Sequence, residues 1–259
     1  MIMQNKIYKI LIFILLLTCI HSACPQDTSQ AWDFGEELTY KVKWAFIRLG
    51  TLRLHICDTL TIHNQKLYHI KCHIDSNPTL FFVNYHTIAE SFFSENLEVH
   101  YFSYIEEDEG ITYKAEYMLD RSRGVVSIQL TDTSNTDNTI EKVIPFSGNV
   151  QDGTSLIYYA RAHAGETETH SVPYLADESQ DVVSINFQGK GDLVKVKAFP
   201  NKLPTYFLEG KVYNKGIAGL SGDFKGWFSA DDRRLPLMAK MKVFIGSVSL
   251  KLEEYNINN

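Results

Sequence analysis

From residue 36 onward the chain is dominated by runs in which apolar and polar residues alternate one for one. Glu37–Trp44 sets Leu38, Tyr40, Val42 and Trp44 against polar partners, and Thr51–Cys57 repeats the pattern with Leu52, Leu54 and Ile56. Further runs are Tyr68–Ile74, Thr87–Phe93, Val99–Tyr104, Thr112–Leu119, Val125–Leu130 and Ile140–Phe146. After a break come Val182–Phe187, Leu193–Phe199, Thr205–Tyr213, Gly222–Ser229, Leu237–Phe244 and Ser247–Tyr255. A period of two sends successive side chains to opposite faces of a strand, so one apolar row must be covered. Turn residues separate the runs at Glu106–Gly110, Asp120–Gly124, Gly189–Gly191 and Ile245-Gly246, and connections this short favour antiparallel neighbours. The expected fold is all-β: an antiparallel, strongly curved sheet, barrel or half-barrel.

Helical signal is sparse. Asp152 precedes Leu156, Tyr159, Ala160 and His163 at helical spacing, which predicts one central helix over 152–163 with Asp152 as its cap. Asn77-Pro78 opens a possible short helix over 78–84. No linker divides the chain, so residues 25–259 read as a single β-rich domain, with 147–180 the one place for a two-lobed split.

Residues 1–24 differ from the rest. Lys6 and Lys9 form a basic start, Ile10–Ile20 is apolar apart from Thr18 and Cys19, and Ser22-Ala23 are small. As a helix the apolar run spans roughly 17 Å, short of a bilayer core of about 30 Å. The order is that of a secretory signal, so the protein is expected outside the cytoplasm, in the periplasm or at the outer membrane. Cys24 leaves two outcomes open: a free protein, or one anchored by a lipid on that cysteine.

Net charge is -6. Residues 1–24 carry two positive and no negative charges, so the remainder is near -8. An acidic chain without a basic stretch argues against nucleic acid, where phosphate neutralisation dominates affinity. It argues equally against electrostatic docking on a membrane, so the expected membrane link is the Cys24 anchor alone. Export permits a disulfide between Cys57 and Cys72. A three-residue turn would align Ile62 with Tyr68, Leu60 with Ile70 and Ile56 with Ile74. It would leave the two cysteines on opposite faces, with Cys57 facing His73.

Catalytic signatures are missing: the sequence has no GxSxG, Walker loop, HExxH or CxxC. Ser155 and His163 are two helical turns apart, roughly 12 Å of rise, too far for a nucleophile and its base. No catalytic residue, metal or cofactor is expected. Aromatic residues spread over many runs suggest either a packed core or an apolar cavity. Trp44, Phe81, Phe82, Tyr85 and Tyr159 are the candidate cavity residues.

Three segments together resemble one family. Gly35–Leu54 (GEELTYKVKWAFIRLGTLRL), Gln151–Arg161 (QDGTSLIYYAR) and Trp227–Leu252 (WFSADDRRLPLMAKMKVFIGSVSLKL) are similar to the opening hairpin, central helix and closing strands of the bacterial exported family called domain of unknown function 3108. Gly153 stands where that family usually has proline. The resemblance implies an antiparallel β structure around one helix, similar to the half-barrels of envelope lipoprotein carriers, and it implies no catalytic residue. It gives Gln151, Asp152, Ser155, Tyr159 and Arg161 a shared role, read here as structural: a capped helix packed into the concave face, with Arg161 paired to Asp231 or Asp232; the functional alternative is that this helix borders a ligand pocket. The expected function is a non-enzymatic envelope protein binding an apolar or amphipathic, lipid-like ligand in a β cavity. The alternatives are an adaptor engaging other envelope proteins and a hydrolase with dispersed carboxylates.

Overall fold

The structure, a computed structural model, describes residues 31–62, 65–80, 85–108, 111–133, 139–213, 221–243 and 246–257. The expected signal at 1–24, Cys24, Phe81 and Phe82 lie outside these residues.

Alternation produces the strands. The first eight are β1 (Glu36–Trp44), β2 (Ile47–Ile62), β3 (Gln65–Ser76), β4 (Tyr85–Ser94), β5 (Val99–Asp108), β6 (Ile111–Asp120), β7 (Val125–Asp132) and β8 (Thr139–Pro145). One helix follows, α1 (Ser155–Ala162). Then come β9 (Thr169–Ala176), β10 (Ser179–Val194), β11 (Leu203–Val212), β12 (Gly222–Ser229), β13 (Pro236–Lys242) and β14 (Ser247–Ile257). All belong to one 14-stranded sheet in the order β8-β7-β6-β5-β4-β3-β2-β1-β14-β13-β12-β11-β10-β9. The chain thus enters at the middle, walks to one edge, crosses through α1 to the other edge, and walks back until β14 pairs with β1.

The sheet curls without closing. Bulges interrupt the ladders at Thr39/Tyr40, Val42/Lys43, Ile56/Asp58 and Phe92/Phe93, and each adds twist and bend. At one end the two edges meet. Gln151 bridges to Tyr174 in parallel fashion, donating to Pro173 O and accepting from Leu175 N, both at 2.9 Å. Ser147 exchanges hydrogen bonds with the Gln180 amide, and Lys142 pairs with Glu178.

Inside the curl sit three apolar clusters. One spans β2–β7 around Trp32, Tyr68, Phe93 and Tyr117; one is central around Leu38, Tyr40, Leu54 and Leu252; one spans β9–β12 around Ile185, Phe187 and Leu208. The helix touches all three, through Tyr158, Ile157 and Ala160 respectively. It is the central helix that the sequence predicts, begun at Ser155 and not at 152.

Several expectations need correction. Leu193–Phe199 is not a strand: β10 runs through Gly189–Gly191 and ends at Val194. Where a turn was expected, the strand carries two register shifts opposite β11, one between Phe187 and Lys190 that includes Gly189 and one between Gly191 and Val194. Instead β9 supplies the fourteenth strand. The β2–β3 hairpin pairs Ile62 with Gln65, Ile56 with Ile70 and Leu52 with Ile74. Its connection is thus two residues, not three, and a bulge at Cys57 restores the match of the apolar rows. His73 faces Arg53, so no Cys57–His73 pair forms. Cys72 is buried, Cys57 half-buried, and both are free. Residues 78–79 form a turn, with Leu80 N donating to Asn77 O at 2.9 Å, so no helix begins at 78; residues 81–84 of the expected helix over 78–84 lie outside the described residues.

Candidate functional site

The strand pattern places one charge on the buried row. Glu36 is in phase with Leu38 and Tyr40, and all three are buried. Its partner is Arg161 on α1, the largest fully buried side chain. Arg161 Nη1 and Nη2 donate to Glu36 Oε1 and Oε2 at 2.5 and 2.8 Å. Nη2 also donates to Ala31 O at 2.6 Å and Nε to Arg233 O at 2.8 Å. Burial alone pulls the guanidinium pKa down, but the Glu36 hydrogen bonds and charge outweigh it and hold it above its usual value. The pair fastens the helix to the sheet's middle strand and to the turn after β12.

Neither Asp231 nor Asp232 holds Arg161, contrary to the sequence expectation. Asp231 accepts from the Ser229 hydroxyl at 2.6 Å and pairs with Arg233 at 2.7 Å; Asp232 is exposed. Asp231 therefore shapes the turn that presents Arg233 O to Arg161 and the Arg234 guanidinium to Ala162 O at 2.7 Å.

Asp152 and Ser155 organise the helix start. Asp152 Oδ1 accepts from Thr154 N and Ser155 N at 2.7 and 3.2 Å, and Oδ2 accepts from the Ser91 hydroxyl at 2.6 Å. Ser155 Oγ accepts from Asp152 N at 2.9 Å. Burial nevertheless raises the Asp152 pKa against these hydrogen bonds. The Gln151 amide donates to Leu97 O at 2.9 Å and Asn149 O at 3.2 Å, tying the helix approach to the β4–β5 turn. Ser155 and His163 make no pair: the histidine bonds Glu166.

Two cavities of about 250 Å³ each open beside the helix. The first borders the helix start. Its wall is mixed: Thr87, Ser103, Glu106, Asp152 and Asp177 place polar groups among Ile74, Ala89, Phe102 and Leu175, which makes it the more polar of the two cavities. The second borders the helix body at Leu156, Ile157 and Ala160. Tyr40, Val42, Leu52, Leu54, Ile185, Leu208, Phe228, Met238, Val248 and Leu250 make its wall almost wholly apolar, with exposed Lys225 and Lys240 alongside. Ile74 and Tyr174 line both. In the polar cavity wall, burial pushes the Cys72 thiol up to about 12, which keeps it protonated and unreactive.

The candidate cavity aromatics are dispersed. Tyr85 lines the polar cavity. Trp44 is half-buried at the end of β1, beside Val248 and Ile47, and lines neither cavity. Tyr159 faces the β9 side, its hydroxyl bonded to His170 Nδ1 at 2.9 Å. Sequence reasoning missed the aliphatic wall, because leucines and valines on a strand read as ordinary core until curvature leaves space between them.

Residues 39–253 match the family described as "Protein of unknown function (DUF3108)". A comparison with curated proteins finds no match. Among solved structures, the chain is similar to a beta-barrel-like protein of domain of unknown function DUF1849 from Brucella abortus. Identity is 10%, the TM-score 0.48, and 86% of this chain and 98% of that one are covered. A protein from Bacteroides fragilis described as exported, with a YmcC-like fold, gives 11%, 0.36, 86% and 96%. A protein from Parabacteroides distasonis described as a lipoprotein gives 8%, 0.34, 86% and 96%.

Proposed function

Because the chain belongs to the DUF3108 family, whose description carries no activity, its function has to be read from its interior, and we propose that it is a non-enzymatic envelope protein that holds an apolar or amphipathic ligand in the cavity of its sheet. The observation that carries this reading is the second cavity: about 250 Å³ walled by aliphatic side chains from both halves of the sheet and from the helix. An apolar cavity of about 150 Å³ already stays dry and accepts benzene, so a hydrocarbon segment is a fitting occupant. Met238 and Met241 add side chains that reshape easily around a ligand. The polar cavity across Ile74 and Tyr174 suits the head of an amphipathic molecule. Residues 1–24 support an exported location, periplasmic or anchored through Cys24 at the outer membrane.

Native mass spectrometry after detergent-free purification tests the reading. A bound lipid-like species is expected, and it should diminish in Ala239→Trp, which fills the apolar cavity from an exposed position on β13. A cleanly empty protein that binds no apolar dye contradicts it.

A further inference from the structure

The chain leaving α1 carries a feature that the cavity reading does not use. We propose that His163, Glu166 and His170 form a binding site for a divalent transition-metal ion of the zinc class, with water completing the coordination. His163 Nδ1 lies 2.9 Å from Glu166 Oε1, and His170 Nε2 lies 3.1 Å from Glu166 Oε2. The three donor atoms are all within 4.8 Å of one another. Tetrahedral zinc with bonds near 2.0–2.1 Å needs donors about 3.4 Å apart, so the two histidine–carboxylate sides must open by a few tenths of an ångström while the two histidine nitrogens, within 4.8 Å of each other, settle to that spacing around the ion.

The backbone fixes this arrangement. Glu166 N donates to His163 O at 3.1 Å and closes the turn, and Gly165 has φ of +105°. A side chain at Gly165 would meet the Tyr206 ring at 3.2 Å, so both conformation and space call for glycine. Gly189 N donates to Glu166 O at 2.8 Å and Phe187 N to Glu168 O at 2.9 Å, which pins the turn to β10.

The rings are also oriented. The Tyr159 hydroxyl bonds His170 Nδ1 at 2.9 Å, leaving Nε2 for the shared site. The Phe187 ring packs 4.9 Å from His170 and 6.0 Å from His163. Ligating histidines are commonly held through their second nitrogen in this way. The side chains are 30%, 28% and 18% exposed for His163, Glu166 and His170, so an ion and water can reach them. Two neutral imidazoles and one carboxylate select a borderline ion such as zinc over calcium or magnesium, which take oxygen donors.

Protons can bridge the same atoms, so the test must separate metal from proton. The full chain, without a histidine tag and stripped by chelator, is titrated with zinc by calorimetry and with cobalt(II) by visible absorption. One ion per chain and a tetrahedral cobalt spectrum are expected. His163→Ala/His170→Ala should abolish both signals, and Glu166→Gln, which retains the hydrogen-bonding shape, should weaken zinc by at least about tenfold. Tyr159→Phe keeps every donor and should weaken zinc about tenfold through loss of the outer partner. His86→Ala, on distant β4, should change nothing. Absence of one-to-one binding in the parent, or equal affinity in Glu166→Gln and parent, overturns the proposal. Zinc binding and cavity occupancy are read separately, so either can fail alone.

Discussion

Removing one half of the Arg161–Glu36 pair leaves a full charge inside the protein. Glu36→Ala should therefore lower stability by about 3–5 kcal/mol in urea unfolding, because the orphaned guanidinium has no access to water. Asp152 behaves differently. Its folded pKa is raised by burial, so its contribution is fully present below the ordinary aspartate value near 3.8 and is lost as pH rises through the folded value. Asp152→Asn keeps an acceptor for Thr154 N and Ser155 N and can donate to Ser91. Its stability relative to the parent should increase across that window and then level off, as read by urea midpoints at stepped pH; a constant difference contradicts this. At this scale the sequence was partly legible. Asp152 reads as the helix cap because capping signals are local, but the structure puts Thr154 at the N-cap position, and Asp152 instead braces the turn before it by accepting from Thr154 N and Ser155 N. The Arg161 partner was not legible, since Glu36 lies 125 residues away and only its phase with Leu38 and Tyr40 betrayed it. Asp231 stood next to arginines in sequence and spends its charge on Arg233 there. His163, Glu166 and His170 were missed because their spacing becomes a cluster only when the chain turns at Gly165.

Among the elements, the β2–β3 hairpin shows how a bulge decides side-chain fate. Without the extra residue at Cys57 the apolar rows of the two strands would fall out of phase with the two-residue connection. The bulge turns Cys57 toward His69 O at 3.4 Å and leaves Cys72 in the core beside Leu54. A thiol reagent should accordingly modify Cys57 slowly and Cys72 only on unfolding, and reduction should not change the mass of the native protein. A bridged Cys57–Cys72 species would refute the register. Alternation revealed most strands because each buries one face. It hid β9, where Pro173 interrupts Thr169–Ala176. Proline is tolerated there because β9 is an edge strand, and its carbonyl accepts from Gln151 N. The opposite error arose at Gly189–Gly191, which reads as a turn but lies inside a long strand, with Gly189 in one register shift and Gly191 paired with Thr205 just before the next.

For the whole molecule, the sheet is a meander in each half, joined where the last strand finds the first. Short connections made the meanders readable; the β1–β14 pairing and the placement of β8 and β9 at the edges depend on contacts between distant parts of the chain. So does the cavity, which exists because the bulged sheet curls around a helix too short to fill it. Its volume is the physical basis of the ligand-holding account, and a chain-length series measures it directly. Calorimetry with saturated fatty acids of increasing length should show affinity rising about fourfold per methylene, the equivalent of about 0.8 kcal/mol, until the apolar cavity is full. Ala239→Trp should bring that plateau to shorter chains. Affinity independent of chain length, or a plateau unmoved by Ala239→Trp, would contradict the account.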